Sequence, residues 1–114
     1  PPGGHVRGFV QPRLLFLLAR KPAHGYELME QLNEGEGAAT DPALLYRTLH
    51  RFQADGLVSS DWDTEGRGAA RRVYEITPDG LEYLHAWAVE IRRTRQQLDR
   101  FLQEYEVYFQ NERR

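Results

Sequence analysis

The chain has 114 residues, 40% hydrophobic and 28% charged, with 15 basic against 17 acidic side chains and a formal net charge of −2. Such a length supports one modest core, and the absence of cysteine excludes disulfides and thiolate metal sites. No apolar run approaches the roughly 20 residues that span a bilayer, and Pro1-Pro2-Gly3-Gly4-His5 lacks the apolar stretch of a secretion signal, so a soluble cytoplasmic protein with no membrane partner is expected.

Residues 1–8 carry no periodic apolar signal and read as a flexible arm. A helix is expected from Pro12, because proline at a first helical position costs no hydrogen bond, and Leu14-Leu15-Phe16-Leu17-Leu18-Ala19 is apolar around the whole circumference, so this helix needs cover on several sides. It should stop at Arg20-Lys21-Pro22. A second helix is expected from about His24 to Asn33, with Leu28, Met29 and Leu32 on one side and Gly25 beside them, where a missing Cβ lets another helix approach closely. Asn33 to Thr40 is a loop by composition.

The third helix opens on Asp41 as N-cap with Pro42 behind it. Leu45, Leu49 and Phe52 form its buried stripe. At 100° per residue, Ala43, Leu44, Arg47, His50 and Arg51 fall on the other side, the side a major groove would meet, with Tyr46 at the stripe's edge. Gly56 stops the helix, Leu57 to Trp62 reads as a strand, Asp63 to Ala70 as a turn rich in glycine and charge, and Arg71 to Ile76 as the return strand. Arg67, Arg71 and Arg72 put cations on that hairpin, although the sum of charge is acidic. Phosphate attraction is the main source of nucleic-acid affinity, so DNA binding would rest on a few placed arginines. The order of elements is that of a winged helix-turn-helix over residues 9–77, and double-stranded DNA is the partner it points to.

Thr77 then caps a last helix with Pro78 at its first position, and residues 78–114 form this helix and its tail. Leu81, Leu84, Ala88, Ile91, Arg95, Leu98, Leu102, Tyr105 and Phe109 follow at alternating spacings of three and four, an a/d seam broken at Arg95. Extending to about Gln110, the helix would be on the order of 50 Å long, whereas a compact domain of ~100 residues has a radius of gyration of about 13 Å. Half of the seam therefore calls for another chain. A two-fold homodimer is expected, through Leu84, Ile91, Leu98, Leu102, Tyr105 and Phe109 on the seam and Leu14 and Leu17 on the partner's first helix.

Three segments, in this order and spacing, resemble the PadR family of bacterial transcriptional regulators over roughly residues 9–108: Lys21-Pro22-Ala23-His24-Gly25-Tyr26-Glu27-Leu28; Asp41-Pro42-Ala43-Leu44-Leu45-Tyr46 leading to Asp55-Gly56-Leu57-Val58; and Arg71-Arg72-Val73-Tyr74-Glu75-Ile76-Thr77-Pro78-Asp79-Gly80. The resemblance implies a homodimeric winged-helix repressor on an inverted repeat, with the last helix as dimerisation arm. Family members with a short last helix often bind flat aromatic ligands between subunits, which would place Trp87 in a ligand pocket. Two positions depart from the pattern. Arg47 stands where a proline usually follows the tyrosine and adds a bidentate donor suited to guanine, and Val73 stands where an aromatic is common.

No nucleophile elbow, phosphate loop or partnered carboxylate pair is present, so an enzyme is not expected. His5, His24, His50 and His85 have no recognised ligand spacing, and neither a metal nor a cofactor is expected. The acidic net charge supports one alternative, a winged-helix protein-interaction module without DNA binding.

Overall fold

The computed structural model describes residues 9–34, 40–63 and 71–112. In chain order the elements are α1 (Val10–Arg20), β1 (Ala23–His24), α2 (Gly25–Leu32), α3 (Pro42–Ala54), β2 (Val58–Asp63), β3 (Arg71–Ile76) and α4 (Pro78–Glu112). They fall into two compact units, Pro1–Leu84 and His85–Arg114. The expected class, mainly helical with a small hairpin and a long last helix, is the class observed.

Helix α1 begins at Val10, two residues before Pro12. Proline is tolerated there because the first four N–H groups of a helix have no intrahelical acceptor. Leu14, Leu15 and Leu18 are buried on one side of α1, while Phe16 is 55% exposed. This corrects the assignment of Leu14 to a subunit interface: at 0% exposure it is core of its own chain. An all-apolar helix hides which of its sides the core will take. Leu28 and Leu32 of α2 and Leu45, Leu49 and Phe52 of α3 complete the same core, each such burial contributing about 1.5–3 kcal/mol relative to exposure.

The hairpin gains an unexpected third strand. Ala23 and His24 pair antiparallel with Tyr74 and Val73, giving the order β1-β3-β2. His24 thus ends a strand and also begins a helix: its N–H donates to Glu27 Oε1 at 3.0 Å, and Glu27 Oε1 lies 2.7 Å from His24 Nδ1. Helix α2 therefore starts at Gly25, locked by a capping box.

Asp41 caps α3 as expected, its Oδ1 accepting from the Leu44 N–H at 3.1 Å, with Pro42 in the first turn. Gly56 follows the helix at φ +75°, the left-handed conformation that glycine adopts without steric cost. Thr77 then ties the corner into α4. Its Oγ1 donates to Gly56 O at 2.7 Å and accepts from the Gly80 N–H at 3.0 Å, while its own N–H donates to Leu57 O at 3.1 Å. Gly80 sits so close to the Leu57 carbonyl and the Ile76 side chain that a Cβ would collide with backbone.

The second unit is the continuation of α4. Every residue from Val89 to Glu112 is exposed. Phe101, Tyr105, Tyr108 and Phe109 form a chain of ring contacts, with neighbouring centroids 4.8–6.3 Å apart. None of the helices is long and apolar enough to cross a membrane among the described residues.

Candidate nucleic-acid interface

Burial on α3 follows the helical period: Leu45, Thr48, Leu49 and Phe52 face inward, while Ala43, Leu44, Tyr46, Arg47, His50 and Arg51 are all exposed. Thr48 does not disturb the helix, because its Oγ1 donates back to Leu44 O at 2.7 Å. An open groove of about 780 Å³ runs along this face, with Gln11 of α1 contributing to its wall. Arg51 makes a loose 4.0 Å contact with Asp55 across exposed surface, a pair worth little in water. Arg47 has no ion-pair partner among the described residues.

Tyr46 projects from α3 onto the start of α2. A Cβ placed on Gly25 would lie 2.6 Å from Tyr46 Oη, so the glycine makes room for the ring. The ring is nevertheless 49% exposed. Tyr46 thus packs one edge against α2 and leaves the other in solvent.

Adjacent residues of a strand face opposite sides of the sheet, so the register Trp62↔Arg72 and Asp63↔Arg71 sends the two wing arginines in different directions. Arg71 lies 4.9 Å over the Tyr26 ring, which itself stacks on His24 at 5.4 Å. His24 Nε2 is 3.1 Å from Asp63 Oδ2, so this histidine bridges the start of α2 and the root of the wing. The His24 backbone N–H, and then its side chain, hold the Glu27 carboxyl below its ordinary range. Arg72 lies 4.6 Å over Trp62 and donates through Nη1 to Ser60 Oγ at 2.8 Å. The two arginines rest on aromatic rings and make no ion pair among the described residues. Arg67 lies outside the described residues.

On the Arg72 side a smaller cleft of about 320 Å³ is lined by Tyr46, His50, Gln53, Arg72 and Tyr74. Burial pushes the Tyr74 hydroxyl up from its ordinary pKa although Arg72 opposes the shift, so it remains a neutral hydrogen-bonding group at physiological pH. Gln53, Ser60, Trp62 and Tyr26 were not singled out as site residues by sequence reading. Their roles depend on strand register, which a turn of eight residues leaves open. Among residues expected at a subunit interface, Leu17 and Leu84 are half-buried, and Ile91, Leu98, Leu102, Tyr105 and Phe109 are exposed; Trp87 is half-buried. Among the described residues, no group of three histidine or carboxylate side chains could hold a metal ion.

Comparison with known proteins agrees with this architecture. A transcriptional regulator of Mycobacterium tuberculosis is 38% identical over 94 residues, 82% of this chain and 82% of that protein. The PadR-like transcriptional regulator of Bacillus cereus has the same fold with a TM-score of 0.75 at 25% identity, covering 85% of this chain and 94% of the other. The PadR of Bacillus subtilis, solved in complex with operator DNA, gives a TM-score of 0.66 at 20% identity over 74% of this chain and 49% of that one. The model of the transcriptional regulator PadR-like family matches residues 14–86. The chain is therefore a member of the PadR-like family of transcriptional regulators and not an enzyme.

Proposed function

We propose that this regulator is a homodimeric repressor that binds an inverted-repeat DNA operator. The observation that carries the proposal is the exposed face of α3, where Arg47, His50 and Arg51 stand clear of the buried stripe beside a wing bearing Arg71 and Arg72. A capped helix with bidentate donors on its outer side is suited to base edges in the major groove, and wing cations to the flanking backbone. The likeness to a family member whose structure holds operator DNA supports the same reading. The seam of α4, with Leu98 58% and Leu102 50% exposed, supports pairing with a second copy, since apolar side chains at heptad spacing bury one another in a two-fold pair.

In this reading Trp87 is the platform for a flat aromatic effector, which would release DNA only by binding the DNA-free arrangement of the dimer more tightly. Selection of bound fragments from a genomic DNA pool tests the proposal. Recovery of an inverted repeat supports it. Absence of enrichment by folded protein, with and without aromatic effectors, favours a protein-interaction module, the reading to which the acidic net charge points.

A further inference from the structure

Arg72, Ser60 and Gln53 form a hydrogen-bonded chain whose direction is fixed by chemistry. A guanidinium only donates, so Ser60 Oγ accepts from Arg72 at 2.8 Å and gives its own hydrogen to Gln53 Oε1 at 3.0 Å. Gln53 is left with its amide N–H₂ for other partners. The chain joins β3 to β2 and then to the last turn of α3, so the wing and the recognition helix share one polar link. Trp62, although 55% exposed, holds its ring 4.6 Å from the Arg72 guanidinium carbon, a cation–π contact that restrains the group without using any of its N–H donors.

Beside this link lies the cleft of about 320 Å³ lined by Tyr46, His50, Gln53, Arg72 and Tyr74. Its lining offers a guanidinium, an imidazole, an amide and two phenolic hydroxyls, with no carboxylate among the described residues. The Tyr74 hydroxyl, its pKa raised further by burial, is a neutral donor at the cleft. A concave site rich in donors and without acids is matched to a tetrahedral anion.

We propose that this cleft clasps one backbone phosphodiester of duplex DNA between α3 and β3, and that Trp62, Ser60 and Gln53 are positioning residues that hold Arg72 ready for it. The inference rests on the DNA-binding reading and deepens it. Phosphate contacts fix register without reading sequence, so the clasp sets where along the groove Arg47 meets the bases. Because the guanidinium is ordered before DNA arrives, less side-chain freedom is lost on binding.

The test uses full-length protein and the inverted repeat recovered by fragment selection, with affinity measured across a salt series. Arg72→Ala is expected to weaken binding by about tenfold or more and to reduce the salt slope by about 0.9, the loss of one phosphate contact. Trp62→Leu is expected to weaken binding by about threefold with its melting temperature near that of the parent, and Trp62→Phe, which keeps a ring beneath the guanidinium, to restore it. Arg72→Lys is expected to keep the salt slope while losing affinity, because an ammonium neither lies flat on the indole nor binds bidentately. Parent-like affinity and slope in both Arg72→Ala and Trp62→Leu overturn the clasp while leaving DNA binding intact. A parent protein that binds no fragment overturns the regulator reading as well.

Discussion

Gly25 and Tyr46 meet where two helices of the first unit cross. A methyl group on residue 25 would approach Tyr46 to 2.6 Å at Oη and 2.8 Å at Cε1, closer than real side chains pack, so the ring must turn away. Gly25→Ala is expected to lower the unfolding free energy by no more than about 1 kcal/mol, because the clash is with the far end of the half-exposed Tyr46 ring, which can swing into solvent at the loss of its contact with α2. Combining it with Tyr46→Ala should recover part of that loss, a coupling that a double-mutant cycle in denaturant measures directly. Glu27 offers a second check. Its carboxyl is held below the ordinary value of 4.5 by the His24 backbone N–H and ring. A depressed carboxylate contributes stability above its unfolded pKa and loses it as pH falls through the folded one. The melting temperature should therefore be insensitive to Glu27 ionisation at neutral pH and fall on the acid side of 4.5. In Glu27→Gln the acid limb of a melting-temperature profile should be flatter than in the parent.

Helices α3 and α4 were legible because their starts are written in local chemistry. Asp41-Pro42 and Thr77-Pro78 supply a side-chain acceptor and a residue that needs no hydrogen bond, and both caps form. Gly56 closes α3 for an equally local reason, a positive φ. Features set by distant partners were not legible. Strand β1 has two residues whose only recommendation is β3, some fifty positions later. The uniform apolarity of α1 hides its inward side, so nothing in the sequence separates Leu14, buried in the core, from an interface residue. The aromatic rests of Arg71 and Arg72 follow from a register that the glycine-rich turn does not disclose. On α3 itself, Arg47 is the exposed side chain best suited to read a guanine. Arg47→Ala should cost about 1–3 kcal/mol of operator affinity and relax preference at one base pair of each half-site. Binding measured against a panel of single-base operator variants would expose a uniform loss, which would instead make Arg47 a backbone contact.

At the scale of the whole molecule, the charge of −2 and the exposed seam of α4 point the same way. A chain without a general excess of positive charge gains little from non-specific phosphate attraction, so pairing two half-site contacts in one dimer is the economical source of affinity. Leu98→Glu with Leu102→Glu places carboxylates on side chains that are 58% and 50% exposed in the single chain. The pair should convert a dimer to monomers in sedimentation velocity, while the first unit keeps its fold because neither residue lies within it. Operator affinity should fall as dimerisation is lost. The most direct measurement is a titration of the selected inverted repeat with parent protein, read by fluorescence anisotropy at several salt concentrations and by mass for stoichiometry. A dimeric operator-binding regulator gives two chains per duplex and an affinity that falls steeply with salt; one chain per duplex, or no salt-dependent binding to any duplex, contradicts it.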